Sequence, residues 1–167
     1  MKKEQFFSEF RQEHREIRDY LLGMISSLMK EDIEKTGEIL SQLNDLAGPH
    51  FRYEEEALYP ALIDIFGESY INKLLTDHDL AIARAKKLKS TIQKEKVSAE
   101  EITECINTVR SILPHVSDCE GLTIMVEKLD NSVMDTILKS MEDARAENAP
   151  LLEWAEKVRN RKPLILH

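Results

Sequence analysis

Residues 50–60 read HFRYEEEALYP, and this stretch indicates a helix with polar groups on its inner face. His50 and Glu54 are four residues apart, so at about 100° per residue they lie only about 40° apart around a helix. The other positions of that face are mostly apolar: Thr36, Leu40, Leu43, Ala47, Ala57 and Ala61. The pattern therefore predicts a core-facing helix from which an imidazole and a carboxylate project inward.

Composition places this helix in an all-α protein. The 167 residues fit one domain, and 42% hydrophobic and 32% charged residues with only five Gly and five Pro favour helix over sheet. A net charge of −8 without a long Lys/Arg cluster argues against nucleic acid or a membrane surface as partner. No stretch resembles a signal peptide or a membrane span, so a soluble, cytoplasmic protein is expected.

Three further apolar stripes at helical spacing predict three more helices of a bundle, and each stripe contains one histidine. They run from Phe7 to Leu28 through His14, from Ile71 to Ile92 through His78, and from Cys105 to Val126 through His115. Four such helices with short connections predict an up-and-down four-helix bundle over residues 1–128.

Local signals set the expected helix boundaries. Asp32 is a candidate N-cap of the second helix, Ser98 with Glu101 forms a capping box for the fourth, and Gly67 should end the second. The second helix is expected to kink or restart at Pro49, and Pro114 should disturb the fourth. Cys105 and Cys119 are fourteen residues apart on one predicted helix, about 21 Å, which is too far for a disulfide if that helix is continuous.

Residues 129–167 form a predicted helical extension beyond the bundle. Leu129, Val133, Ile137 and Met141 continue a helical pattern, and Asn148-Ala149-Pro150 interrupts it before a short segment around Trp154. We expect this extension to pack on the bundle or on a partner, and a homodimer through it is one option. His167 is expected to be disordered.

The four inward histidines together indicate a metal site. One buried histidine is usually a hydrogen-bonded core residue, but burying four without partners costs several kcal/mol each, and a shared cation would satisfy all of them. Imidazoles and carboxylates from opposed helices are the ligands with which bundles hold two iron or two manganese ions. Iron fits this donor set, with manganese or zinc as alternatives.

These residues resemble the hemerythrin-like, or HHE cation-binding, domain family. Residues 50–60 are similar to its HFxxEExxLYP signature, Glu13-His14 and Asp77-His78 to its first and third motifs, and Pro114-His115 followed by Glu120 to its last. The resemblance spans about residues 6–126. It implies that His14, His50, Glu54, His78 and His115 are iron ligands, with Glu54 bridging two non-haem irons.

The sequence departs from the family pattern in two places. Leu74 and Ile82 stand where hemerythrins have a second third-helix histidine, which implies an open position on one iron. The final carboxylate, Glu120, follows His115 by five residues, so on a straight helix it lies about 140° away unless a π-bulge or kink turns it inward. Glu120 is the first choice for the last ligand, Cys119 the second and Asp118 the third.

The polar residues next to His50 and Glu54 are not expected to bind metal. Glu55 and Glu56 are expected to be solvated, although contact with a ligand is an option for Glu55. Tyr53 and Tyr59 are expected to pack in the core.

The leading functional hypothesis is a di-iron protein for binding, storing or sensing O₂. The missing third-helix histidine motivates an alternative, a di-iron enzyme acting on peroxide or nitric oxide. A third option is a non-redox iron-sensing or interaction module. The sequence leaves enzymatic activity open and favours a metal- and O₂-binding protein over a dedicated enzyme.

Overall fold

A computed structural model describes residues 2–159, and these residues form helices joined by short turns, without β-strands. The helices are α1 (Lys2–Met29), α2 (Ile33–Tyr53), α3 (Tyr59–Phe66), α4 (Glu68–Ile92), α5 (Ala99–Arg110), α6 (Leu113–Gly121), α7 (Thr123–Val126), α8 (Asn131–Glu147) and α9 (Leu151–Arg159). A π-helical segment, Glu54–Leu58, joins α2 to α3 without a turn. The all-α fold and the helical bundle with an additional C-terminal segment are confirmed.

Capping residues begin and end these helices as the sequence predicts. The Asp32 side chain accepts a hydrogen bond from the Lys35 backbone N–H at 3.0 Å, which caps α2. Ser98 and Glu101 form the reciprocal capping box at the start of α5. Gly67, with φ of +81°, separates α3 from α4 in a conformation that glycine adopts without strain.

The order of the helices brings the four histidines to one level of the bundle. α1 and α2 are antiparallel neighbours joined by a tight turn, and His14 and His50 lie at similar distances along the chain from it. His78 and His115 stand in the same relation to the connection between α4 and α5. Because each residue advances a helix by about 1.5 Å, residues at equal distances along the chain from a short connection lie at the same height in the bundle.

Two apolar clusters lie on either side of the histidine level. The first is formed around Phe6, Phe10, Tyr53, Leu62, Leu74 and Leu122, and the second around Leu21, Met24, Leu28, Leu40, Leu88 and Val109. On α1, Phe10 precedes His14 and Ile17 follows it, each in a different cluster. The polar level therefore lies between two apolar clusters.

Two expectations about helix continuity need correction. α2 does not restart at Pro49 but continues to Tyr53, and the irregularity begins only at Glu54. The predicted fourth helix is divided into α5, α6 and α7. Its first interruption, at Ser111 and Ile112, lies before Pro114, which then occupies the first turn of α6, where a missing N–H costs nothing.

The C-terminal helices pack against the bundle. Met134, Ile137, Met141 and Ala144 of α8 are buried in the first apolar cluster. Trp154 of α9 is 4% exposed, in a cluster with residues of α2 and α4. None of the helices within residues 2–159 is long and apolar enough to cross a membrane.

Gly48 shows how closely the extension approaches α2. A Cβ atom at this position would lie 2.0 Å from the Ala149 carbonyl oxygen and 2.7 Å from the Leu151 nitrogen. Only glycine leaves room for the α8–α9 connection there.

Candidate metal centre

The π-helical segment places Glu54 at the centre of the bundle. In an α-helix, residues five apart lie about 140° apart around the axis. The wider turn of the π-helix instead places Tyr59 on the same side of the helix as Glu54. The Tyr59 N–H donates to the Glu54 carbonyl oxygen, and the Tyr59 hydroxyl lies 3.3 Å from Glu54 Oε2. Both side chains are fully buried. π-Turns of this kind occur frequently at functional sites.

One group of donors able to hold a metal ion consists of His14, His50 and Glu54. Their ligand atoms lie within 4.8 Å of one another, and all three residues are buried. Glu54 Oε1 lies 3.4 Å from His50 Nε2 without the alignment of a hydrogen bond. This oxygen has no hydrogen-bond partner among the described residues, although a buried carboxylate oxygen normally has one. A cation between these donors would satisfy it.

The second group consists of Glu54, His78, His115 and Cys119. Glu54 Oε2 lies 3.1 Å from His78 Nε2, and Cys119 Sγ lies 3.3 Å from His115 Nε2. The Tyr59 hydroxyl is 3.1 Å from both His78 Nε2 and Cys119 Sγ. Glu54 therefore belongs to both groups, with one carboxylate oxygen directed toward each.

A series of hydrogen bonds holds the His50 ring at Nδ1, the ring nitrogen that faces away from Glu54. His50 Nδ1 lies 2.8 Å from Glu13 Oε2, which also accepts a hydrogen bond of 2.6 Å from the Tyr53 hydroxyl. Arg145 of α8 donates to the other oxygen of Glu13 at 2.6 Å and also pairs with Glu9. A carboxylate behind an imidazole is the usual way to orient a histidine ligand toward a metal.

His78 and His14 also have an oxygen atom within hydrogen-bonding distance of Nδ1. His78 Nδ1 lies 2.9 Å from Glu55 Oε1, and His14 Nδ1 lies 2.8 Å from the Phe10 carbonyl oxygen. Phe51 stacks on the His78 ring with centroids 3.8 Å apart. For His14, His50 and His78, Nδ1 is thus engaged on the outside and Nε2 remains for the interior. That division suits metal binding, because a neutral imidazole offers one lone pair.

Burial and neighbouring charges set the protonation of the site. Burial lowers the pKa of His14 to about 4 and that of His115 to about 4, so both rings are neutral near pH 7. Burial alone would also lower the pKa of His50, but Glu54 and Glu13 raise it to about 10. Burial alone would raise the pKa of Glu54, but His50 and His78 hold it well below its ordinary value. A proton on His50 would have to leave when a cation binds, so metal binding would release protons.

The structure brings together five of the six predicted ligands and leaves Glu120 outside. Glu120 is exposed on α6 and belongs to neither donor group. α6 is a regular helix from Leu113 to Gly121, so Cys119, four residues after His115, shares its inward face. Asp118 is exposed and pairs with Lys73. Of the three choices for the last ligand, only Cys119 lies in the site.

Several functional neighbours were not recognised in the sequence. Glu55, for which solvation was expected and contact with a ligand was the other option, is 5% exposed and contacts His78, whereas Glu56 is exposed as expected. Tyr59, expected to pack, is fully buried in the core and also contacts three donors of the second group. No sequence signal identifies Arg145, which is 132 residues from its partner Glu13.

A cavity of about 470 Å³ leads from the site toward the surface. His14, His50 and His115 form part of its lining, whereas Glu54, His78 and Cys119 do not. Its exposed lining residues lie on α2 and at the end of α4, so it opens between these helices; they are Glu34, Ser41, Lys89 and Gln93. The cavity therefore approaches the site mainly from the three-donor group.

A helical bundle that encloses histidines and carboxylates able to hold metal ions belongs to the class of metal-binding bundle proteins. The profile of the hemerythrin HHE cation binding domain matches residues 5–121, and the chain therefore belongs to this family. No curated protein and no solved structure matches the chain significantly. The family match ends before α8, so Arg145, a residue of α8, lies outside the matched region.

Proposed function

We propose that the protein is a non-haem di-iron protein that binds O₂ or a related small molecule inside the bundle. The observation that carries this proposal is the position of Glu54 in both donor groups, with a buried oxygen that lacks a hydrogen-bond partner among the described residues. One carboxylate between two sets of donors is the arrangement expected of a bridging ligand.

The composition of the two groups supports iron. Four imidazoles, a carboxylate and a thiol form a set of borderline, hard and soft donors, which suits iron, with manganese or zinc as alternatives. Bound iron would supply a redox-active centre at which O₂ could be reduced or held. Tyr59 places a hydroxyl beside the second group, where it can donate a hydrogen bond.

The two groups have different numbers of protein donors. The group of His14, His50 and Glu54 has three, whereas the second has four. A site that reacts with a small molecule keeps a coordination position free, and the three-donor group also contacts the cavity. We therefore place the exchangeable position at His14 and His50. The sequence had suggested it beside His78, where Cys119 supplies a further donor.

A di-iron enzyme acting on peroxide or nitric oxide is the second candidate. Reversible O₂ binding requires a pocket closed to water, whereas turnover requires access for substrate and protons. The 470 Å³ cavity and the buried Tyr59–Cys119 pair favour a reactive centre.

The test combines metal analysis with anaerobic spectroscopy. Protein purified without chelators should contain two irons per chain, and O₂ added to the reduced protein should produce a visible absorption band. A band lost on removal of O₂ indicates reversible binding, whereas catalytic consumption of peroxide or nitric oxide added to the iron-loaded protein indicates the enzyme. Protein that binds no more than one iron under saturating conditions would contradict the di-iron proposal.

A further inference from the structure

The volume of the cavity exceeds what a diatomic ligand needs. A water molecule occupies about 30 Å³ of liquid, so 470 Å³ is roughly fifteen times the volume of one water molecule. Sites for organic small molecules usually measure about 300–1,000 Å³. The cavity is therefore of the size that holds an organic ligand.

The lining of the cavity is apolar inside and polar at the rim. Ile17, Leu21, Leu40, Ala47, Ala85 and Val116 are among its inner residues. Nearer the surface the lining provides a carboxylate, a hydroxyl, two amides and an ammonium group, from Glu34, Ser41, Asn44, Gln93 and Lys89. A ligand that matches this distribution has an apolar body and one polar end.

The cavity extends along the helices. On α4 its lining runs from Ala81 to Gln93, which corresponds to about 18 Å of helix. From Lys89 inward to Ala81 the distance is about 12 Å, which accommodates an extended chain of roughly ten carbons. A volume of about 470 Å³ over this length means that the cavity is narrow. A narrow cavity favours a ligand with a single flexible chain over one with a broad ring system.

The ammonium group of Lys89 favours a negative charge on the polar end of the ligand. This ammonium group is exposed and forms no ion pair with any residue in the described range 2–159, although Lys86 and Lys87 on the same helix both do. Glu34, the carboxylate of the lining, lies in the first turn of α2, farther from the histidines than Lys89. A Cβ atom at Gly37 would lie 3.8 Å from Ile92 Cδ1, so the start of α2 lies beside the end of α4. The polar end of a ligand whose chain reaches the histidines would therefore lie nearer to Lys89 than to Glu34.

We propose that this cavity binds a medium-chain aliphatic carboxylate, with its carboxylate at Lys89 and its chain directed toward His14. The binding requires no bound metal and so does not depend on the function proposed above. Because the cavity ends at His14, His50 and His115, the bound chain would lie between the metal centre and solvent.

The probes are octanoate, decanoate and dodecanoate, titrated calorimetrically into the full chain with and without metal. Affinity should rise about fourfold for each methylene that enters the cavity, because burial of a CH₂ contributes about 0.8 kcal/mol. Decylamine should bind more weakly than decanoate. Binding of decanoate only to metal-loaded protein would indicate coordination to the metal and would overturn the placement at Lys89.

Two matched pairs of variants locate the chain and its head group. Ala85→Phe fills the cavity and should abolish decanoate binding, whereas Ala83→Phe on the exposed side of the same helix should not change it. Lys89→Gln should weaken binding about threefold to fivefold, as expected for an exposed ion pair, and Lys87→Gln should have no effect. Thermal unfolding verifies that each variant is folded. Equal affinity in the Ala85→Phe and Ala83→Phe variants would overturn the proposal.

The apolar sequence Leu164-Ile165-Leu166 is an alternative occupant. A variant ending at Arg159 distinguishes the two, because it should bind decanoate as tightly as the full chain. Binding by the shortened chain alone would assign the cavity to residues 160–167 and overturn the proposal, as would no binding by either chain.

Discussion

Arg145 of α8 donates a hydrogen bond of 2.6 Å to Glu13 of α1, and the other oxygen of Glu13 lies 2.8 Å from His50 Nδ1. The C-terminal extension thus contacts the support of a candidate ligand. Arg145 lies outside residues 5–121, the part of the chain that the family profile matches.

Replacing Arg145 with Gln is expected to weaken metal binding at the His14–His50–Glu54 group by about tenfold, because Glu13 loses one of the groups that orient it. The free energy of unfolding should fall by only about 1 kcal/mol, since the Arg145 side chain is 38% exposed and its ion pairs are partly screened. Lys139→Gln, which breaks an exposed pair with Asp143 on the same helix, is the control. Equal metal affinity in both variants would show that Arg145 does not position the site.

Three consecutive glutamates provide a graded test of the centre. Glu54→Gln should remove both metals, because Glu54 belongs to both donor groups. Glu55→Gln should weaken binding at the second group by about tenfold to a hundredfold through loss of support for His78. Glu56→Gln should leave two metals bound, because Glu56 is exposed and contacts Arg52. Metal content measured after dialysis checks all three, and two firmly bound metals in Glu54→Gln would rule out the bridge.

Cys119 and Glu120 are expected to behave in opposite ways. Cys119→Ala should lose metal from the second group, whereas Glu120→Gln should retain the wild-type content, because only Cys119 faces the site. Burial raises the pKa of the Cys119 thiol well above its ordinary value, so binding requires a metal to displace its proton. The iron-loaded protein should then show a sulfur-to-iron charge-transfer band that Cys119→Ala lacks. Loss of metal from Glu120→Gln alone would reverse the assignment.

Gly48 and Gly23 should respond to alanine with opposite signs. Gly48→Ala should lower the free energy of unfolding by about 1–3 kcal/mol, because its Cβ would overlap the α8–α9 connection. Gly23→Ala has 3.5 Å of clearance to Ile39 and should raise the free energy of unfolding by about 0.5–1 kcal/mol through helix propensity. Urea unfolding of both variants measures the difference. Stabilisation of both would mean that the extension does not pack tightly on α2.

Hydrophobic periodicity determined the helices and the set of inward histidines. The apolar stripes that contain His14, His50, His78 and His115 could be predicted because a helix repeats every 3.6 residues. Side chains at that spacing share one face of the helix. The caps at Asp32 and Ser98 were readable because each depends on groups within three residues. These local relations need no knowledge of the fold.

The last donor depended on where the backbone departs from the regular helix. The sequence suggested a widened turn near Glu120, but the π-segment lies at Glu54–Leu58, and α6 is regular. The same five-residue spacing that turns Tyr59 inward in the π-segment leaves Glu120 outside in α6. A single sequence does not reveal which helix widens, because a π-turn loses favourable local geometry and is retained only when tertiary contacts compensate.

The sequence by itself therefore determined the all-α class, the helical stripes and five of the six candidate ligands. Only the tertiary structure decided which residues support them, such as Arg145 for Glu13, and that a 470 Å³ cavity reaches the site. Periodicity reports the face on which a residue lies, but hydrogen bonds and cavities depend on distances between helices that are far apart in sequence. Those distances are set by side-chain packing across the whole bundle.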